Sequence, residues 1–182
     1  MKKVLVLLVL SLMIVGFTNA QVGKMKLGVG AYVGLPLGTF GDVTSVGFGG
    51  VVQGEYLFAD KIVGTVTTGY LAFSGKSQTI AGASVDNGTW SIIPILVGGK
   101  YFFTPNLYGA AQIGLDMVSY KVPTQVIFGF TVGGGTASSS EFGWNIGVGY
   151  DMGNLDFLVK YGSFMTNASS VSLTALYKFS LN

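Results

Sequence analysis

The sequence predicts an all-β fold: one eight-stranded antiparallel up-and-down transmembrane β-barrel. Two observations lead to it. Long stretches alternate bulky apolar residues with small or polar ones, the period of a strand with unlike faces. The connections between those stretches alternate short and long. Residues 142–162, FGWNIGVGYDMGNLDFLVKYG, display both features. Phe142, Trp144, Ile146, Val148 and Tyr150 alternate with Gly143, Asn145, Gly147 and Gly149. After a polar break at residues 151–154, Leu155, Phe157, Val159 and Tyr161 share one face, with Asp156, Leu158, Lys160 and Gly162 on the other. This is a hairpin whose non-bulky face is largely glycine. Small residues suit a crowded concave side, so the bulky, uncharged side must meet something apolar, and lipid is the reading adopted.

The first strand places Leu27, Val29, Ala31 and Val33 opposite Lys26, Gly28, Gly30 and Tyr32. Pro36, Gly38, Gly41 and Asp42 mark a loop over residues 36–46. In the second strand Phe48, Val52, Tyr56 and Phe58 point outward, and Gln53 and Glu55 inward. The third, over residues 62–73, has two candidate outer sets, Val63/Leu71/Phe73 and Ile62/Val66/Tyr70. A polar loop covers residues 74–88. In the fourth strand Ile93, Ile95, Val97, Tyr101 and Phe103 oppose Lys100. Pro94 cannot donate to a ladder, which predicts a place near the rim or at a bulge. In the fifth, Leu107, Ala111, Ile113, Leu115 and Met117 oppose Tyr108, Gln112 and Asp116. A long segment, residues 119–140, precedes the hairpin described above, and residues 163–170 read as the last loop. The eighth strand has Val171, Leu173, Ala175, Tyr177, Phe179 and Leu181 outward and Thr174, Lys178 and Ser180 inward.

Short turns near 59–61, 104–106 and 151–154, with longer connections between them, match the asymmetry of bacterial outer-membrane barrels. In the seven strands whose faces can be assigned, no Asp, Glu or Lys falls outside. A single Lys there would cost about 2–4 kcal/mol at mid-membrane. Phe58, Tyr101, Phe103, Tyr150, Phe157, Tyr177 and Phe179 gather at strand ends beside the short turns, and Phe142 and Trp144 toward the other rim. Together they read as aromatic girdles at the two interfaces.

Residues 1–20 have the layout of a secretory signal peptide: Lys2 and Lys3, an apolar run over 4–17, and a small-residue cleavage site at Thr18-Asn19-Ala20. The run is short of the roughly 20 residues of a spanning helix. The remaining residues, 21–182, form one barrel domain. Without Lys2 and Lys3, eight lysines face eight acidic residues, so no basic excess suggests nucleic acid. Charged residues are only 10% of the chain and glycines number 29, both in keeping with an exterior that avoids water.

Phe40-Gly41, Gly47-Phe48-Gly49-Gly50, Glu55-Tyr56-Leu57-Phe58, Gly69-Tyr70-Leu71, Ile93-Pro94-Ile95, Lys100-Tyr101-Phe102 and Gly143-Trp144-Asn145-Ile146-Gly147 resemble the "outer membrane protein beta-barrel domain" family of small bacterial barrels of the OmpA/OmpX type. The resemblance spans nearly all of residues 24–182. It implies a bacterial outer-membrane location and insertion by the outer-membrane assembly machinery, for which Tyr177 and Phe179 could serve as an aromatic signal. It implies an architecture and no particular activity.

The chain has no histidine and no cysteine, which excludes Ser-His-Asp or Cys-His catalysis and a His-ligated metal. No cofactor motif is present; Gly133-Gly134-Gly135 reads as a turn. The inward polar residues Lys26, Gln53, Glu55, Lys100, Gln112, Asp116, Asp156, Lys160 and Lys178 read as an ion-pair network filling the lumen. An eight-stranded barrel is barely wide enough for its own side chains. The competing reading is a proton- or ion-conducting path. Val126, Phe128, Phe130 and Val132 alternate again within residues 119–140. They suggest a projecting hairpin whose apolar stripe docks an extracellular partner, or else a mobile loop. The expectation is a monomeric, non-catalytic outer-membrane protein with a structural or adhesin-like surface role. A narrow channel is the first alternative and a soluble lipocalin-like carrier the second.

Overall fold

The computed structural model describes residues 24–80, 83–85, 88–127 and 130–181. In chain order they form β1 (Met25–Leu37), α1 (Gly38–Val43), β2 (Thr44–Ala59), β3 (Ile62–Gly75), β4 (Gln78–Ile80), β5 (Ala83–Val85), β6 (Thr89–Phe102), β7 (Leu107–Ile127), β8 (Phe130–Asp151), β9 (Leu155–Met165) and β10 (Ala168–Leu181). Eight strands close in the order β1-β10-β9-β8-β7-β6-β3-β2, every neighbour antiparallel. Closure is made by β1 on β10, from Met25↔Leu181 to Leu37↔Ser169. β4 and β5 form a separate two-stranded sheet.

The alternation in sequence becomes an inside-out distribution. Val29, Phe48, Ile95, Ile113, Ile146, Val159 and Leu173 are exposed on the outer surface, while Gln53, Glu55, Lys100, Gln112, Asp116, Asp156 and Lys178 are buried in the lumen. A lipocalin-like carrier needs the reverse arrangement, and that alternative falls. On β8 the outward apolar set runs from Tyr150 up to Phe142 and gives way to Ser140, Ser138 and Thr136. On β7 it ends at Met117, followed by Ser119 and Lys121. With strands tilted as barrel closure requires, that band is roughly 20–25 Å tall, the height of a membrane barrel's lipid belt.

The structure resolves the third strand. Ile62, Val66 and Tyr70 face out, and Val63, Thr65, Thr67, Leu71 and Phe73 are buried inside. Three other expectations change. Pro94 lies within β6, not at its rim, and faces inward. The β3–β6 ladder breaks between Thr68↔Ile95 and Leu71↔Ile92 and resumes in the same register, so the missing donor is absorbed by a local gap without a bulge. Residues 36–46 are not an open loop, since α1 occupies their centre. Residues 163–170 are mostly strand, turning at Thr166 and Asn167, where Asn167 takes a left-handed φ of 64°. Residues 119–140, for which a projecting hairpin and a mobile loop were both expected, are largely paired strand, β7 on β8 continuing to Ile127↔Phe130, which agrees with the hairpin.

Candidate functional site

The lumen is built in three layers, each set by what the inward positions of neighbouring strands carry. At the short-turn end lies an ion-pair cluster. Lys100 of β6 donates to Glu55 Oε1 of β2 and to Asp156 Oδ2 of β9, each at 2.5 Å. Lys178 of β10 donates to Asp151 at the foot of β8, and its Nζ is 3.7 Å from Glu55 and 3.6 Å from Asp156. Tyr108 of β7 donates its hydroxyl to Asp156 Oδ1 at 2.5 Å, and Lys100 sits 4.5 Å from the centre of its ring. Six of the eight wall strands are tied by this cluster. Charges this dry need partners whatever else they do, and here each ammonium touches carboxylate.

Beneath it the barrel opens into a bowl of about 520 Å³, lined by Lys24, Lys26, Lys61, Phe102 and Phe103 and floored by Glu55 and Asp151. Lys26 stands opposite Glu55 in register yet is half-exposed at this mouth, outside the ion-pair cluster.

The middle layer is neutral hydrogen bonding beside a separate aspartate and lysine. Gln112 Nε2 donates to Thr65 Oγ1 and Thr67 Oγ1 at 3.0 and 2.8 Å, and Gln53 Nε2 donates to Thr67 Oγ1 at 2.9 Å. Asp116, Asn145 and Lys160 line a cavity of about 30 Å³, with the Lys160 Nζ 5.8 Å from the Tyr32 ring centre. The inward residues of the sequence thus do not form one network: Lys160 lies with Asp116 at this cavity, away from Glu55 and Asp156.

The upper layer is an apolar plug. Tyr32, Phe40, Val51, Leu71, Phe73, Ile92, Val118, Ala168 and Leu176 form one buried cluster, with Trp90, Phe164 and Met165 against it. The short α1 drops Phe40 into the mouth, edge-on to Phe73 at 5.3 Å and to Trp90 at 5.9 Å. Thr44 holds that helix by donating its hydroxyl to the Phe40 carbonyl at 2.6 Å. Sequence reasoning missed Phe40 as a stopper. The available signal was one large aromatic between Gly38 and Gly41 in a stretch otherwise read as loop. It also missed Asp151, taken for a turn residue, and Tyr108 as a hydrogen-bond donor to the cluster.

The nine girdle residues Phe58, Tyr101, Phe103, Phe142, Trp144, Tyr150, Phe157, Tyr177 and Phe179 are all exposed on the outer surface. Edge-to-face pairs join Tyr101 to Phe103 and Tyr177 to Phe179 beside the short turns, and Trp144 to Tyr161 higher up. Above the lipid belt β7 and β8 rise together. Val122↔Gly135 and Thr124↔Gly133 flank Pro123, and Gly133 and Gly134 take φ of 84° and 82°, a bend that L side chains resist. Of the stripe expected near the tip, Phe128 lies outside the described residues, as do the side chains of Val126, Phe130 and Val132.

No protein-family model matches the chain, and no curated protein matches it. Solved structures do. Ail, the attachment invasion locus protein of Yersinia pestis, in complex with the heparin analogue sucrose octasulfate, is similar at a TM-score of 0.58 and 14% identity over 87% of this chain and 100% of that one. Ail has also been described in a phospholipid bilayer nanodisc. The N-terminal β-barrel domain of Pseudomonas aeruginosa OprF is similar at 0.55 and 13% identity, over 86% of this chain and 99% of that one. Neisserial surface protein A is similar at 0.54 and 16% identity, over 86% and 97%. At such identities the likeness is one of architecture: this chain has the fold of the small eight-stranded outer-membrane barrels.

Proposed function

We propose that the chain is an integral protein of the bacterial outer membrane that acts at the cell surface through its β7–β8 hairpin, without catalysis or conduction. Residues 1–20 serve as its cleaved export signal, the outer-membrane assembly machinery inserts it, and it works as a monomer embedded in lipid. The observation that carries this reading is the division of labour along the barrel. The lumen is shut twice, by the aromatic plug around Phe40 and by the ion pairs around Lys100, whereas β7 and β8 extend beyond the apolar belt as a paired ribbon. A sealed lumen disfavours the narrow channel. Ail, an attachment protein described with a sulfated ligand, is a precedent for a surface role on this fold. Removal of residues 122–139 tests the reading: cells should keep the folded barrel in the outer membrane and lose attachment to surfaces or host matrix. Unchanged attachment would remove the hairpin from the account.

A further inference from the structure

The bowl at the short-turn end has two unlike sides. Lys24 and Lys26, about the start of β1, and Lys61 in the β2–β3 turn supply a basic side. Leu57 of β2, Val63 of β3 and Phe102 of β6 supply an apolar one. β1, β2, β3 and β6 follow one another around the wall, so a single arc of the barrel carries both. The backbone joins the two sides twice. Leu57 N–H donates to the Lys24 carbonyl at 3.3 Å, and Phe102 N–H donates to the Lys61 carbonyl at 2.9 Å.

The three lysines enter no ion pair among the described residues, although Lys26 stands opposite Glu55 in register. Glu55 and Asp151, on the floor, are already engaged by Lys100 and Lys178. In the bowl and the cluster above it, Lys24, Lys26, Lys61, Lys100 and Lys178 stand against Glu55, Asp60, Asp151 and Asp156. One positive charge is left over, and the unpaired ammoniums are those of the rim.

Pockets for small ligands run to about 300–1,000 Å³, are mostly apolar and carry a few placed polar groups. At about 520 Å³ the bowl has that size and that division. Phe103 marks the way in. It lines the bowl and is also exposed on the outer wall, in the girdle beside the short turns. The rim there is apolar on both sides, which gives an alkyl chain a path from the periplasmic leaflet.

From these features we infer that the bowl binds an amphiphile with one anionic head and one alkyl chain, either a fatty carboxylate or a monoanionic lysophospholipid. The head lies among Lys24, Lys26 and Lys61, and the chain lies along Leu57, Val63 and Phe102. The volume suits a single chain, and the single surplus charge suits a monoanion. The inference is independent of the β7–β8 hairpin.

The test uses the chain purified from the outer membrane into phosphatidylcholine nanodiscs. Octanoate is titrated in, backbone amides are followed by NMR, and affinity is referred to free octanoate. Saturable shifts are expected at residues 24–26, 57, 61–63 and 102, with none that saturate at lipid-facing Val148. Decanoate should bind roughly tenfold more tightly, because each buried methylene favours transfer from water. Octylammonium, with the same chain and the opposite charge, should not saturate these residues. Lys24→Gln combined with Lys61→Gln should weaken octanoate about fivefold and leave the gain from chain length intact. Both lysines are exposed; should the double variant lose the heat-modifiable gel shift of a closed barrel, Lys24→Gln alone serves. Lysophosphatidylglycerol that displaces octanoate would point to the lipid as the source, and displacement by decanoate alone would point to the free carboxylate. Shifts that grow without saturating, octylammonium that binds as well as octanoate, or lysine variants that bind like the parent would overturn the inference. Removal of residues 122–139 should leave octanoate binding unchanged, which separates this site from the surface role.

Discussion

Lys100 on β6 and Asp156 on β9 meet across the lumen at 2.5 Å, with two strands of wall between their own. Both side chains are sealed from solvent, at 1% and 0% exposure. The contact is a cross-brace: it fixes the width of the barrel at the short-turn end, where the backbone ladder alone specifies only which strands are neighbours.

Lys100→Met leaves Glu55 and Asp156 with Lys178 as their shared cation. Breaking a buried pair by removing one partner costs about 3–5 kcal/mol. Heat-modifiable gel mobility should therefore be lost at a clearly lower temperature than in the parent. Adding Asp156→Asn to the same chain should recover most of the difference, since one uncompensated charge is then gone. A Lys100→Met barrel as heat-resistant as the parent would show that the brace is incidental.

Val148 and Ser140 lie on the same outward face of β8, the first inside the apolar belt and the second above it. Val148→Lys should destabilise the barrel in phospholipid vesicles by about 2–4 kcal/mol, and Ser140→Lys by less than about 1 kcal/mol. Denaturant titration in vesicles reads both. Equal effects would mean that the belt is not where lipid lies.

Phe40→Ala removes the stopper's largest side chain. Loss of a buried Phe costs about 3–5 kcal/mol in a well-packed core; with α1 free to give way, the lower end of that range is expected. Limited proteolysis should then cut within residues 38–43. In planar bilayers both parent and variant should stay silent, because the cluster around Lys100 still closes the lower lumen. Steady single-channel steps from the parent would return the channel reading to first place.

Gly149 faces inward beneath the Tyr108 ring, and a Cβ added there would collide with ring atoms. Gly149→Ala should push Tyr108 off Asp156 and cost about 1.5–3 kcal/mol, the worth of a hydrogen bond to a charged group. Tyr108→Phe, which loses the same bond without the clash, should match it within about 1 kcal/mol. The temperature dependence of gel mobility compares the two.

Seven strands were legible because lipid outside and ion pairs inside impose opposite demands at every second residue. Strand β3 was not, because its upper inward positions, Leu71 and Phe73, belong to the plug and are as apolar as Ile62 and Val66 outside. Pro94 was misplaced for a related reason: a proline's cost is readable from sequence, but a gap in the neighbouring ladder that absorbs it is not. Phe40 was invisible as a stopper since α1 is a single short turn with no periodicity. The membership of the charged cluster could be listed from parity alone. Which lysine meets which carboxylate depends on the stagger of strands around the barrel, a property of closure that no single strand encodes. Lys160 and Asp156 lie about 13 Å apart along the one strand β9, and the stagger decides which side chains of other strands each of them meets.

The position of Lys178 on β10 has a bearing on biogenesis. β10 seals the wall by joining β1, and its ammonium is the second of the two cations among Glu55, Asp151 and Asp156. A half-built sheet without that strand would present three carboxylates to a single ammonium, in a setting that penalises bare charge. Zipping up the seam and neutralising the interior are then one event, and an unfinished barrel is electrostatically discouraged from resting in the bilayer.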